Sequence, residues 1–184
     1  MDIEPKIITV SSHSTAIGEL VIGAFEGRIC LLNYGDGRRR GTTDRRVMRG
    51  LYASMVEGHE PIIDEAKRQV DEYLAGVRRE FSLPLLMVGT EFQRTVWSAL
   101  QEIPYGATVS YSELAKSIRR EHAVRAVAQA NGANALSLVV PCHRVIERGG
   151  RLGGYGGGVK VKEQLLALER RGIGNENLLD GLRS

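Results

Sequence analysis

Pro141-Cys142-His143-Arg144-Val145 lies between an apolar run (Leu136, Ser137, Leu138, Val139, Val140) and a glycine-rich stretch (Gly149-Gly150, then Gly153-Gly154-Tyr155-Gly156-Gly157-Gly158). A cysteine beside a histidine suggests a working thiol. A free thiol is weak at its pKa of about 8.5, and a nearby imidazole can take its proton. Adjacent side chains on extended backbone point to opposite sides, so Cys142 and His143 cooperate only if the chain turns between them or a water bridges them. A third group has to orient the imidazole. Glu169 is the first choice for that group, with Glu147 and Glu163 as competitors that spacing does not separate. The apolar run ahead of Pro141 reads as a strand, preceded by Asn134.

Working outward, Thr90-Glu91-Phe92-Gln93 and Ser110-Tyr111-Ser112-Glu113 are capping boxes, each fixing a helix start. Phe92, Val96, Trp97 and Leu100 then line one helix face, which makes Trp97 a core residue; Pro104-Tyr105-Gly106 is a turn. Leu114, Ala115 and Ile118 continue the second helix. After a short break, His122 to Asn131 forms another, with Val124, Val127 and Ala128 inward and Gly132 ending it. Two short helices joined by a tight turn form the helix-turn-helix pattern. A last helix is expected from Lys160 to Arg170, with Val161, Leu165 and Leu168 on one face and Gly172 as its cap.

Upstream, residues 18–34 read as a β-hairpin: Leu20, Val21, Ile22, Ala24 and Phe25, a Glu26-Gly27 turn, then Ile29, Cys30, Leu31 and Leu32. Gly35 to Asp44, glycine- and arginine-rich, reads as a solvated loop, with a DNA contact as the alternative. Residues 62–75 are helical through Ile62, Ala66, Val70, Tyr73 and Leu74, stopped by Gly76. Phe81 to Val88 is extended and broken by Pro84. The division expected is an N-terminal subdomain over 1–88, a C-terminal domain over 89–172 and a loose tail over 173–184.

Composition narrows the class. With 184 residues, 42% apolar and 26% charged, the chain can bury a real core. Its two cysteines point to a reducing compartment rather than a disulfide framework. Met1 to Val10 has no signal-like apolar run, and no stretch approaches a membrane span. A net charge of +3 and a pI near 9.0 tolerate nucleic acid without demanding it. The arginines are grouped, however: Arg38, Arg39, Arg40, Arg45 and Arg46, then Arg119, Arg120, Arg125, Arg144, Arg148 and Arg151 around the cysteine motif. Cys30 sits in an apolar strand and is most simply a packed thiol. Cys30 and Cys142 with His13, His59 and His122 offer no metal-ligand spacing, so no metal site is expected. The glycine run lacks the Gly-Lys-Ser/Thr ending of a phosphate loop and the strand-turn-helix order of a dinucleotide fold. It reads either as a flexible loop or as backbone that can approach a flat ligand closely.

These residues resemble one family. Phe92-Gln93 with Val96-Trp97, Ile103-Pro104-Tyr105-Gly106, Ser110-Tyr111, Arg125-Ala126-Val127, Asn134, the Cys142 pentapeptide, Gly154-Tyr155 with Gly157, and Lys162 through Leu165-Leu166 to Glu169 are similar to the methylated-DNA–protein-cysteine methyltransferases, also called O6-alkylguanine-DNA alkyltransferases. The resemblance implies an α+β fold: a small ribonuclease-H-like N-terminal subdomain with hairpins, and a mainly helical, winged-helix-like C-terminal part carrying the helix-turn-helix. It implies a protein that binds duplex DNA through the minor groove and flips out an O6-alkylated guanine. The alkyl group then passes once and irreversibly to its own cysteine, with no cofactor and with O4-alkylthymine as an open second substrate. On that pattern Cys142 is the acceptor, His143 the base acting through a water, Glu169 its orienting acid, and Asn134 the holder of the turn. Tyr111 lies by the flipped phosphate and the guanine N3. Arg125 fills the emptied stack. Tyr155 and the Gly156 amide face the ring and its O6, and the Val145 carbonyl accepts from the exocyclic amine. Tyr111, Ser112, Arg120, Arg125, Ala126 and Arg148 form the DNA-facing set. A thiol held near pKa 5 would be nearly all thiolate, against about 3% at pKa 8.5 and pH 7. The expected state is a monomer, and the expected location the cytoplasm, at the nucleoid in a prokaryote.

Three rivals are weighed beside this. An alkyltransferase-like sensor would carry another residue at position 142. A sequence-reading regulator would need base-edge polar residues where Ala123, Val124, Ala126 and Ala128 stand; small side chains instead suit close approach to a shallow groove. A cysteine hydrolase would leave the helix pair idle.

Overall fold

The computed structural model describes residues 6–180, with side chains to residue 173. Four strands form one sheet: β1 (Lys6–Thr15), β2 (Gly18–Phe25), β3 (Arg28–Tyr34) and β4 (Ala53–Glu57), in the order β3-β2-β1-β4. The expected hairpin is β2–β3, antiparallel, with Leu20 opposite Tyr34. Its turn residues Glu26 and Gly27 both have positive φ, 48° and 75°. That sense matches the twist of the flanking strands. β1 pairs antiparallel with β2, and β4 pairs parallel with β1.

Helix α1 (Arg40–Leu51) connects β3 to β4. It replaces part of the loop expected over Gly35 to Asp44. No side chain caps it, and Gly41, Thr42, Thr43 and Asp44 are poor helix formers. What holds it is tertiary: Thr43 and Val47, one turn apart, are both buried, and Val47 packs in a cluster with Phe25 and Leu31. Arg40 ties the start down by donating to the Gly35 carbonyl (2.7 Å) and to Asp44 (3.3 Å). Helix α2 (Pro61–Leu74) begins with proline at its first position and ends before Gly76, which takes φ +76°, as expected. Beyond it, Leu85 bridges Ile29, so the extended 81–88 segment leans on β3.

Both capping boxes form. Thr90 and Gln93 open α3 (Glu91–Gln101); Ser110 and Glu113 open α4 (Tyr111–Ser117). Trp97 is buried, donating its indole N–H to the Ala130 carbonyl at 2.8 Å. The next helix, α5 (Val124–Gly132), starts later than expected: Glu121–Ala123 is a single 3-10 turn, after a left-handed Arg119 (φ 57°). α4 and α5 thus stand as two short helices joined by a turn. Two-residue strands β5 (Val109–Ser110) and β6 (Val145–Ile146) pair in parallel beside them.

Two further expectations are corrected. Residues 136–140 are not a strand but a series of turns with Leu138 at φ 70°, touching the sheet only where Leu136 bridges Leu32. The run is apolar because Leu136, Leu138 and Val140 are all buried, and apolar content alone cannot distinguish a strand from a buried turn. The last helix, α6 (Val159–Asp180), runs through Gly172 rather than ending there. A Cβ at Gly172 would lie 2.8 Å from the Tyr105 hydroxyl, so this glycine permits close packing. The expected loose tail overlaps this helix to Asp180; residues 181–184 lie outside the described residues. One core cluster draws on both halves of the chain, from Leu20 and Tyr73 to Trp97, Cys142 and Leu165.

Candidate active site around Cys142

Cys142–Arg144 forms a single 3-10 turn between the 134–140 turns and β6. This supplies the change of direction that lets neighbouring Cys142 and His143 belong to one site. Asn134 braces the approach: its amide N donates to the Val140 carbonyl (2.8 Å) and its Oδ1 accepts from the Leu136 N–H (2.9 Å). Cys142, 7% exposed, lines a cavity of about 360 Å3. Tyr111, Asn131, Asn134, Tyr155 and Gly156 line it as well. These walls are polar, unlike the aliphatic packing around Cys30. There the thiol is sealed, contacts the Gly23 carbonyl and is pushed up to about 12, chiefly by burial.

Behind Cys142 lies a charged cluster. His143 and Glu169 are both fully buried, with Nε2 2.8 Å from Oε1. Of the three acids the sequence offers, Glu169 is the one at the histidine; Glu147 pairs instead with Arg151, and Glu163 is exposed. Arg144 donates to both Glu169 oxygens at 3.0–3.1 Å and to the Ile103 carbonyl at 2.7 Å. The Gly106 N–H, from the 104–106 turn, donates to Oε2 at 2.8 Å. Burial alone would raise the Glu169 carboxyl, but the His143 and Arg144 donors outweigh it and hold the group well below the ordinary carboxylate range. Burial pushes His143 down, with Glu169 opposing, so the resting imidazole is neutral. Among the described residues its Nδ1 has no hydrogen-bond partner.

The thiol departs from expectation. Burial pushes Cys142 up; a hydrogen bond from Asn134 and the charge of Lys162 pull the other way without reversing it. Burial therefore works against ionisation of the thiol in the resting protein.

Residues 91–171 match the family model described as the 6-O-methylguanine DNA methyltransferase, DNA binding domain. The constitutive methylated-DNA–protein-cysteine methyltransferase of Bacillus subtilis is 42% identical over 161 residues, covering 87% of this chain and 94% of that protein. The chain belongs to the methylated-DNA–protein-cysteine methyltransferase family. A second relative, from Mycolicibacterium paratuberculosis, is 56% identical over 106 residues, 58% of this chain and 64% of its own length. Among solved structures, Mycobacterium tuberculosis OGT in complex with DNA superposes with a TM-score of 0.76 at 35% identity, covering 90% of this chain and 94% of that one. Membership fixes the reaction class as DNA repair by alkyl transfer.

The remaining residues that the sequence put forward for the site fall in different places. Ser112, Arg120, Arg125, Ala126 and Arg148 are exposed on and around α4 and α5, while Tyr111 is half-buried at the cavity. The hydroxyls of Tyr155 and Tyr34 lie 3.0 Å apart, and the Gly157 backbone sits so close to the Tyr34 ring that a Cβ there would approach within 2.6 Å. The Val145 carbonyl accepts from the buried Lys162 ammonium at 2.6 Å. Arg38 and Arg39, read as part of a solvated loop with a DNA contact as the alternative, are exposed and also line the cavity. Sequence reasoning assigned no role to Tyr34, Tyr73, Arg144 or Lys162. Only Arg144, beside the histidine, carried a local signal; the others come from up to 121 residues away.

Proposed function

We propose that Cys142 is the alkyl acceptor of a single-use DNA repair protein whose substrate is O6-alkylguanine in duplex DNA. The observation that carries this is the unpartnered Nδ1 of His143, whose other nitrogen is fixed on Glu169 beside a thiol at the floor of a polar cavity. The helix pair α4–α5, with its exposed Arg120 and Arg125 and small Ala126, lies in the minor groove. Arg125 fills the gap left by the everted base. A guanidinium has the length and flatness for that place, and a damaged pair flips at the lowest cost.

In the reaction, the Cys142 proton passes through a water to His143 Nδ1. The imidazolium that forms is stabilised by Glu169. The sulfur attacks the alkyl carbon, a carbon–sulfur bond forms and the carbon–O6 bond breaks. The electron pair moves into the guanine ring, where Tyr155 and the Gly156 amide face the developing charge and Tyr111 lies at N3. The purine takes up one proton and is restored. Burial works against ionisation of the resting thiol, and the unpartnered His143 Nδ1 is the acceptor that takes its proton. No helix among the described residues is long and apolar enough to cross a membrane. The protein acts as a monomer at cytoplasmic DNA.

Peptide mapping after incubation with an O6-methylguanine duplex tests the assignment. One methyl group on the Cys142 peptide, none on the Cys30 peptide, and loss of transfer with retained DNA binding in Cys142→Ala are the expected results. Methylation elsewhere, or an active Cys142→Ala, overturns it.

A further inference from the structure

The His143–Glu169 pair has a third member that comes from the other half of the chain. Tyr73, on the inner face of α2, is fully buried. Its hydroxyl lies 2.5 Å from Glu169 Oε1 and 3.2 Å from His143 Nε2. We propose that Tyr73 is a positioning residue for the acid–base pair, holding His143 in the tautomer that carries its proton on Nε2 and leaves Nδ1 free to accept.

The hydrogen-bond inventory around these three groups argues for it. Glu169, held ionised by Arg144 and the Gly106 N–H, can only accept. The single phenolic proton of Tyr73 has two acceptors in reach, and the nearer, charged one takes it. The phenol oxygen facing Nε2 is then itself an acceptor. Nε2 therefore faces two acceptors, at 2.8 Å and 3.2 Å, and is satisfied only as a donor. A neutral imidazole has one N–H, so Nδ1 is left bare. Without the phenol, Nε2 loses one of its two acceptors, while Oε1 keeps its donors from Arg144 and His143, so the ring is held from one side only. The ring can then rotate or the tautomer exchange. The Tyr73 ring is itself fixed between Phe81 (centroids 5.2 Å apart) and Tyr105 (6.1 Å). The N-terminal half thus takes part in the chemistry through α2. This inference rests on the reading of His143 as the base for Cys142.

Two measurements test it. In the wild-type protein, nitrogen NMR of His143 should show the proton on Nε2. A proton on Nδ1 overturns the proposal, and this reading needs no variant to fold. In Tyr73→Phe, the single-turnover transfer rate at saturating damaged DNA should fall about tenfold, the usual scale of one buried hydrogen bond. DNA affinity should stay unchanged and the His143 signals should shift toward the other tautomer. A purely structural tyrosine would leave rate and signals where they were, and that result also overturns it. Wild-type protein that transfers no alkyl group would sink the role of Cys142 instead, with the tautomer reading decided separately.

Discussion

Glu169 Oε1 lies 2.8 Å from His143 Nε2, and neither side chain is exposed. Both groups are pushed to lower pKa, the histidine chiefly by burial and the carboxyl by its donors. In each case the unfolded chain binds a proton more readily than the folded one, so stability rises with pH. The His143 contribution is lost as pH falls below its unfolded value of 6.5, and that of Glu169 as pH falls below 4.5. Each group steepens the dependence by at most about 1.4 kcal/mol per pH unit. Urea unfolding at a series of pH values checks this. His143→Gln should flatten the curve between those two values, and an unaltered slope would contradict it.

The thiol should titrate high. With burial opposing ionisation of Cys142, alkylation of the free protein by iodoacetamide should still be accelerating above the ordinary thiol value of about 8.5. Mass spectrometry can follow the Cys142 peptide across pH. A plateau already reached near neutrality would show a resting thiolate and contradict this.

Arg125 should matter for eversion. Its side chain is exposed early in α5, with no hydrogen bond or ion pair among the described residues. Arg125→Ala should slow single-turnover transfer by at least about tenfold, the lower end of a flipping cost of a few kcal/mol. Pairing the damaged base opposite an abasic site should recover much of that loss. A wild-type rate in Arg125→Ala removes the stack-filling role.

Arg39 should be a phosphate contact. It lines the cavity with Arg38, and a Cβ on Gly132, the last residue of α5, would lie 2.6 Å from its guanidinium. Arg39→Ala should weaken duplex binding regardless of sequence and lower the salt slope by about one. Fluorescence anisotropy over a range of salt checks it. An unchanged slope returns Arg39 to the solvated loop.

Local signals were the legible part of the fold. The Thr90 and Ser110 boxes, the Glu26-Gly27 turn and the Gly76 stop each act within a few residues, and each stands where expected. Elements fixed by distant partners were not legible. α1 owes its existence to Thr43 and Val47 meeting the sheet, not to its glycine and threonines. The 136–140 run looked like a strand because burial selects the same residues for a packed turn. Gly172 looked like a cap because sequence could not show Tyr105 beside it. At the site, the pentapeptide announced Cys142 and His143, and the resemblance pointed to Glu169. The thiol's burial and the hydroxyl of Tyr73 follow from tertiary contacts alone, 70 residues apart for Tyr73 and His143.

The most direct test of the central claim is a titration to completion. A fixed amount of protein is mixed with increasing O6-methylguanine duplex and its intact mass is read at each point. The account predicts a gain of one methyl group that stops at one per protein, with no further repair of excess DNA. Continued repair beyond that point, or an unmodified Cys142 in protein that has repaired DNA, would contradict it.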